Sequence, residues 1–164
     1  MNRTLTIACF VVVLGALAAL AAAQPKAFTP DPVDIVAAKR EAAPEDGLAL
    51  GNMYAQVGRA AESLASYRLA FTCERLDKPL RAQAAIAFTS QAAQAAAAKQ
   101  LRGEGLTSAV KEAEGLTSLA DGPLRSTLLA ALGSLHVESG QTDQALADWL
   151  AAAEANPSAA AGMA

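Results

Sequence analysis

Apolar residues fill most of this chain, and from residue 44 onward they are interrupted at fairly regular intervals by glycine, proline and short polar groups. Between the interruptions, apolar positions recur at helical spacing, as they do from Leu106 through Ala120. Because glycine and proline end helices, the interruptions predict six helices. We expect them near residues 45–57, 60–76, 79–101, 105–120, 123–138 and 142–155. Short turns pair them into three hairpins, so the predicted fold is all-α.

The composition favours a helical repeat over a single compact core. Hydrophobic residues make up 53% of the 164 residues, but aromatic residues make up only 4%. With so few large side chains, helices bury enough apolar surface only if they approach closely along their lengths. The net charge of −3 offers no basic surface, so no binding to nucleic acid is expected.

The N-terminal residues 1–23 have the pattern of a signal peptide. Arg3 provides a positive start, an uncharged apolar run extends from Leu5 to Ala23, and the alanines that close the run suit cleavage. This run is also long enough for an uncleaved anchor. We expect a periplasmic or secreted protein. The alternative is a membrane-anchored protein with its repeat domain outside the cytoplasm, in which only the uncleaved leader touches the membrane.

The rest of the chain divides into three parts. Residues 24–43 form a proline-containing linker with a short helix, residues 44–157 form a helical repeat domain, and residues 158–164 form a flexible tail. Loss of the leader leaves Cys73 as the only thiol, so no intramolecular disulfide is expected. We interpret Cys73 as a small buried residue.

Two segments of the chain, residues 49–70 and 131–152, align with each other at one constant offset. Seven identities share this register: Ala49 with Ala131, Leu50 with Leu132, Gly51 with Gly133, Gly58 with Gly140, Leu64 with Leu146, Ala65 with Ala147 and Ala70 with Ala152. Gly58 and Gly140 are expected to end one helix with a left-handed backbone angle and to reverse the chain.

Both copies resemble the tetratricopeptide repeat (TPR) family, whose pattern places a bulky residue, Leu-Gly, an aromatic, Ala, a second aromatic and Pro at fixed spacings. The later copy matches with Leu129, Leu132, Gly133, His136, Ala145, Trp149 and Pro157. The earlier copy matches with Leu50, Gly51, Tyr54, Ser63, Tyr67 and Ala70, but it has Gly47 at the bulky position and Arg75 where proline often stands. The resemblance implies a right-handed superhelix of about three helix-turn-helix hairpins in an exported bacterial protein.

The spacing has a mechanical reason in each outer hairpin. Gly51 and Gly133 are expected to let two helices come close, while Tyr67 and Trp149 fill the space beside them. Two family repeats of about 34 residues each would fall short of the offset between the copies by roughly two heptads. We therefore predict that each helix of the middle hairpin gains about seven residues, or two turns, so that this hairpin is elongated and protrudes.

In the family, the first helix of each hairpin lines a concave groove that binds a partner segment. The corresponding positions here are Leu48, Asn52, Ala55, Gln56, Ala82, Ile86, Thr89, Ala130, Ser134 and Val137. Because these positions carry no Lys or Arg, the family's clamp for a terminal carboxylate is not expected. A mostly apolar lining favours an amphipathic helix or an extended hydrophobic segment as the partner. The alternative interpretation is that Leu48 and Ile86 belong to the core.

A second expected surface lies at the C-terminal end of the repeats. Residues 158–164, which follow Pro157, are too few to form the polar helix that normally caps a terminal repeat. Leu146, Trp149, Leu150 and Ala153 are therefore expected to be partly exposed, which favours partner docking or self-association as a homo-oligomer. Trp149 can also turn inward, so Leu150 is the better probe.

No catalytic, metal-binding or cofactor-binding residues are predicted. His136 is the only histidine and takes the place of an aromatic ring in the repeat, which favours a core role. The acidic pairs Glu112 with Glu114 and Asp143 with Asp148 are expected to be solvated. The residues around Gly103 and Gly105 lack the strand and further glycine of a dinucleotide site.

The functional expectation is accordingly a protein-binding scaffold or adaptor of the bacterial cell envelope rather than an enzyme. The alternative is a chaperone-like carrier that transiently holds unfolded or apolar segments during envelope or cytochrome assembly. Both would bind another protein or peptide segment in the same groove.

Overall fold

A computed structural model of the chain describes residues 43–156. The predicted signal peptide and tail lie outside the described residues, as do Pro157 and the linker apart from Ala43. Within the described range, no helix is both long and apolar enough to cross a membrane.

Residues 43–156 fold into six α-helices and two 3₁₀ turns, and no strand occurs among them. The α-helices are α1 Gly47–Gln56, α2 Ala60–Thr72, α3 Lys78–Ala97, α4 Gly103–Gly115, α5 Gly122–Glu138 and α6 Thr142–Ala155. The 3₁₀ turns are Pro44–Asp46 and Leu116–Leu119. The prediction of an all-α fold with six helices is therefore confirmed.

Two helices, α3 and α5, begin at start signals that the sequence supplies. Asp77 precedes α3 and its carboxylate accepts a hydrogen bond from the backbone N–H of Leu80 at 2.9 Å. Pro79 occupies the first turn, where its missing N–H costs nothing. Asp121 and Pro123 stand at the same two places in α5, although Asp121 makes no side-chain cap.

Three turns of one kind connect the two helices of each hairpin. Gly58 and Gly140 have φ angles of +74° and +80°, and Lys99 takes the same left-handed conformation at +60°. At Gly58 the backbone N–H donates to the carbonyl three residues back, and the next N–H donates to the carbonyl five residues back. The same pair of bonds recurs at Lys99 and Gly140, which is the Schellman pattern.

The position of Lys99 corrects the prediction for the middle hairpin. Lys99 stands midway in sequence between Gly58 and Gly140, so the extra length is divided equally between the two intervals. Of the middle pair, only α3 is long, with 20 residues, whereas α4 has 13, like α2. The prediction that both helices gain two turns is wrong.

The packing order also sets α4 apart. The most extensive contacts join α1 to α2, α2 to α3, α3 to α5 and α5 to α6, while α4 contacts α3 and α5 only sparingly. Phe88 of α3 and Leu128 and Leu135 of α5 are fully buried in the shared core. Helix α4 contains no aromatic ring, so it has no counterpart of Tyr67 and Trp149, the rings of the outer hairpins.

Polar contacts tie α4 to its neighbours instead. Glu112 accepts hydrogen bonds from the guanidinium of Arg68 on α2 at 2.7–2.9 Å. Glu114 lies 3.3 Å from the imidazole of His136 on α5. These two contacts link α4 to α2 and to α5, the two helices that pack against α3.

Candidate interaction surfaces

The two outer hairpins are built around a ring that lies against a glycine. A Cβ on Gly133 would come 2.5 Å from Nε1 and 2.7 Å from Cδ1 of Trp149. A Cβ on Gly51 would meet the ring of Tyr67 just as closely. The expectation that these glycines admit Tyr67 and Trp149 is therefore confirmed.

The polar tips of both rings are satisfied. The hydroxyl of Tyr67 donates to the side-chain oxygen of Asn52 at 2.8 Å, and the indole N–H of Trp149 donates to the carbonyl of Ala130 at 3.2 Å. Burial raises the pKa of Tyr67 above 10.0, and a hydrogen bond with Ser63 opposes this only in part. Tyr67 therefore stays protonated at neutral pH and fixes Asn52.

Three groups emerge among the predicted groove residues. Ala82 and Thr89 are fully buried, so they cannot line an open groove. Their helix α3 lies between α2 and α5, which cover its small residues. Leu48 and Ile86 are half-buried and pack against the core, as the alternative interpretation required, and Ala55 is also half-buried.

The groove residues that remain exposed are small or polar, apart from Val137. They are Asn52, Gln56, Ala130, Ser134 and Val137. Two of them have bonds within the fold, because Asn52 holds Tyr67 and the hydroxyl of Ser134 donates to the Ala130 carbonyl. Val137 is the only large apolar side chain of this set that is exposed. This surface is consequently less apolar than the sequence indicates.

A more apolar surface lies on α6, and we call Leu146, Trp149 and Leu150 the C-terminal face. These side chains are 57%, 44% and 59% exposed, respectively. They follow one another at helical spacing and form a continuous stripe. The expected exposure of Leu146 and Leu150 is therefore confirmed.

The repeat shows what normally covers such a face. The counterparts of Leu146 and Trp149 in the first hairpin are Leu64 and Tyr67, which are only 5% and 3% exposed. Both residues belong to α2, which packs against α3. Leu146 and Trp149 thus correspond to residues buried in the core beside α3, while Leu150 takes the place of Arg68, whose guanidinium lies over the ring of Phe88 on α3.

The contacts of α3 with α2 indicate how that covering works. The ring of Phe88 meets the ring of Phe71 edge to face, with 5.5 Å between centroids. The guanidinium of Arg68 lies 5.0 Å above the ring of Phe88. Arg81 donates from Nε to the carbonyl of Phe71 at 2.9 Å, close to the C-terminal end of α2.

His136 is buried, as expected, and is held between two carboxylates. Its Nδ1 lies 2.6 Å from Asp148 on α6, and its Nε2 lies 3.3 Å from Glu114 on α4. Only 3% of the imidazole is exposed, against 17% of Asp148 and 50% of Glu114. Asp148 and Glu112 are thus partnered within the fold, which corrects the expectation that both acidic pairs are simply solvated.

One open depression of about 440 Å³ lies where α3 ends and α4 begins, and sequence reasoning missed it. Lys99, Leu101, Arg102, Leu106 and Glu138 contribute to its lining. Arg102 donates to the carbonyl of Lys99 at 2.7 Å, so part of its charge is used locally. Among residues 43–156, no three His, Cys, Asp or Glu side chains are grouped to hold a metal ion.

Comparison of the chain with family models, with curated proteins and with solved structures finds no match. The surfaces of the chain itself, and the internal repeat that relates them, therefore carry the functional argument.

Proposed function

We propose that this chain is a TPR-like scaffold of the bacterial cell envelope that binds another protein and catalyses no reaction. The observation that carries the proposal is the C-terminal face. Leu146 and Trp149 are exposed there, although their repeat counterparts Leu64 and Tyr67 are buried in the core on α2, the helix that packs against α3. When another segment covers contiguous exposed apolar side chains, these are removed from water and the free energy falls, so such surfaces are typical binding sites.

The repeat geometry supports the family part of the proposal. Gly51 and Gly133 admit rings in the way that the TPR pattern requires, and Gly58 and Gly140 reverse the chain with left-handed angles. A right-handed superhelix of three hairpins would follow from regular repetition of this unit. The sparse packing of α4 is the departure from regularity.

The proposed location rests on residues 1–23, whose positive start and long uncharged run suit export. Outside the cytoplasm the chain would act as a periplasmic or secreted adaptor. If the leader is retained, it would act as an anchored one.

The predicted groove has a smaller part in this proposal. Its buried members, Ala82 and Thr89, are not accessible, and its exposed members are small or polar apart from Val137. A partner that covers the C-terminal face could extend over Ala130, because Trp149 is bonded to that residue.

Site-specific photo-crosslinking in the native cell tests the proposal. A crosslinking residue at Leu150 reports on the C-terminal face, and one at Gln144, exposed on the opposite side of the same helix, is the matched control. We expect one defined protein to be captured at 150 and not at 144. Capture of many unfolded chains would favour the carrier, and no capture at 150, at Val137 or at Asn52 would contradict protein binding altogether.

A further inference from the structure

We propose that the segment covering the C-terminal face is an amphipathic helix of a partner protein, with a small apolar stripe and basic residues along one flank. This inference rests on the proposed function and names the chemistry of the partner. Three observations carry it: the helix that covers the equivalent face, the charges that border the stripe, and the acceptors at the end of α6.

The first observation concerns the shape of the occupant. On α2 the equivalent face is covered by α3, an α-helix whose buried residues are mostly alanine, with Phe88 as the one large ring. Small residues let a second helix approach closely, and a single large side chain fills the remaining space. The same repeat-related surface on α6 therefore favours a helix of the same kind.

The second observation concerns charge. Asp143 lies one turn before Leu146, and Glu154 lies one turn after Leu150, so both carboxylates border the same side of the stripe. Both are exposed, and α6 contains no Lys or Arg. At the helical rise, the separation of the two acids along the helix axis is about 16 Å. A partner with basic side chains at that separation would match them.

The third observation concerns the C-terminal end of α6. In the internal example, Arg81 of the covering helix donates to the carbonyl of Phe71 near the end of α2. The repeat counterpart of Phe71 is Ala153, which lies in the last turn of α6, where carbonyls have no partner within a helix. An arginine at the equivalent place in the partner would bond these carbonyls and face Glu154.

A second copy of this chain fits the face less well. Its first helix, α1, contains no charged residue, and the turn that precedes it carries Glu45 and Asp46. When α1 is aligned with α3 so that the turn residues Gly58 and Lys99 coincide, Gly47 of α1 takes the place of Phe88 of α3. Gly47 is already packed against Ser66 and Ala70 of its own hairpin. The copy therefore lacks both the ring and the basic flank.

The probe that tests the inference is a synthetic, end-capped peptide with the sequence of α3, residues 78–97, carrying the substitution Gln91→Arg. In an antiparallel arrangement that places Arg81 near Glu154, the helical rise brings residue 91 near Asp143. Trp149 is the only tryptophan of the chain and the peptide has none, so the emission of Trp149 reports directly on the face. The full chain is titrated with the peptide.

We expect saturable binding with a shift of the Trp149 emission to shorter wavelength. A peptide with Lys78→Glu, Arg81→Glu and Gln91→Glu should bind about tenfold more weakly at low salt, since exposed ion pairs contribute modestly and are screened. Leu150→Gln in the chain should weaken binding by about tenfold or more, because it removes the most exposed apolar side chain of the stripe. Met53→Gln, which changes an apolar residue of matching exposure on α1, should leave binding unchanged.

Equal binding of the basic and acidic peptides would contradict the inference that the partner helix carries basic residues along one flank. Unaltered binding after Leu150→Gln would overturn the assigned face. If neither peptide binds while light scattering shows self-association that Leu150→Gln abolishes, a second copy is the occupant and the inference is wrong. If neither peptide binds but crosslinking at 150 still captures one protein, only the helical basic partner is overturned and the scaffold function stands.

Discussion

The indole of Trp149 lies so close to Gly133 that any Cβ at that position would come 2.5 Å from its Nε1 atom. The same relationship joins Tyr67 to Gly51 at the other end of the array. The two rings differ in their surroundings, since Tyr67 is 3% exposed and Trp149 is 44% exposed. A methyl group added at Gly51 and one added at Gly133 should therefore change the free energy of unfolding by different amounts.

We predict that Gly51→Ala lowers the free energy of unfolding by about 1–3 kcal/mol, because the new methyl group overlaps a buried ring that cannot move away. Gly133→Ala should cost less, since Trp149 can swing toward solvent, and its emission should shift to longer wavelength. Chemical denaturation followed by circular dichroism measures both effects. Gly115→Ala is the matched control, because nothing lies within 4 Å of a Cβ there; a cost for Gly115→Ala equal to that of Gly51→Ala would contradict the steric argument.

Lys99 is the described residue other than glycine with a positive φ angle, and it occupies the turn position that Gly58 and Gly140 hold elsewhere. We predict that Lys99→Gly raises the free energy of unfolding by up to about 1 kcal/mol, because glycine avoids the strain of the left-handed region. Gly140→Ala should have the opposite sign and a similar size. Thermal denaturation of both variants checks this, and a loss of stability in Lys99→Gly would refute it.

The carboxylate of Asp148 is largely buried against Nδ1 of His136, whereas the carboxylate of Glu114 is half exposed against Nε2. We predict that Asp148→Ala costs about 1–3 kcal/mol, because the buried imidazole loses its close partner. Glu114→Ala should cost less than about 1 kcal/mol, as is usual for exposed pairs. Urea denaturation at neutral pH distinguishes them, and equal costs would show that burial does not set the strength of these contacts.

Burial raises the pKa of Tyr67 above 10.0 in the folded chain. Because the neutral phenol is favoured by folding, its contribution to stability is complete below the ordinary pKa of 10.0 and is lost as the pH rises through the raised value. Alkaline titration of the free energy of unfolding should show this loss. Tyr67→Phe should remove that component and cost about 1 kcal/mol at neutral pH, since Asn52 loses its donor; an alkaline loss of equal size in Tyr67→Phe would assign it to another group.

Much of the local structure follows from the sequence. Glycines, prolines and capping residues predict six helices, because these residue types act through their own backbone geometry. The turns at Gly58 and Gly140 and the ring contacts at Gly51 and Gly133 were predictable as well, since an identical register at two places fixes their roles. The observed helix ends differ from the predicted ones by a few residues: α2 ends at Thr72 and α3 ends at Ala97, each before its predicted end.

The candidate surfaces were predicted less completely. The exposure of Leu146 and Leu150 was among the expectations from the sequence, but the burial of Ala82 and Thr89 was not. Small residues suit an open groove and a tight helix contact equally well, so their type does not decide between the two. The carboxylate partners of Arg68 and His136 lie 44 and 12 residues away in sequence, and no local pattern announces such pairs.

The sequence by itself determined where the chain turns and which glycines admit a ring, because both depend on residues within one hairpin. Only the tertiary structure decided that Lys99 forms the middle turn of an evenly spaced series, that α4 is held by Arg68 and His136, and that Ala82 and Thr89 are buried. Those outcomes depend on which helix lies beside which, and that is settled by how distant segments share a limited amount of apolar surface.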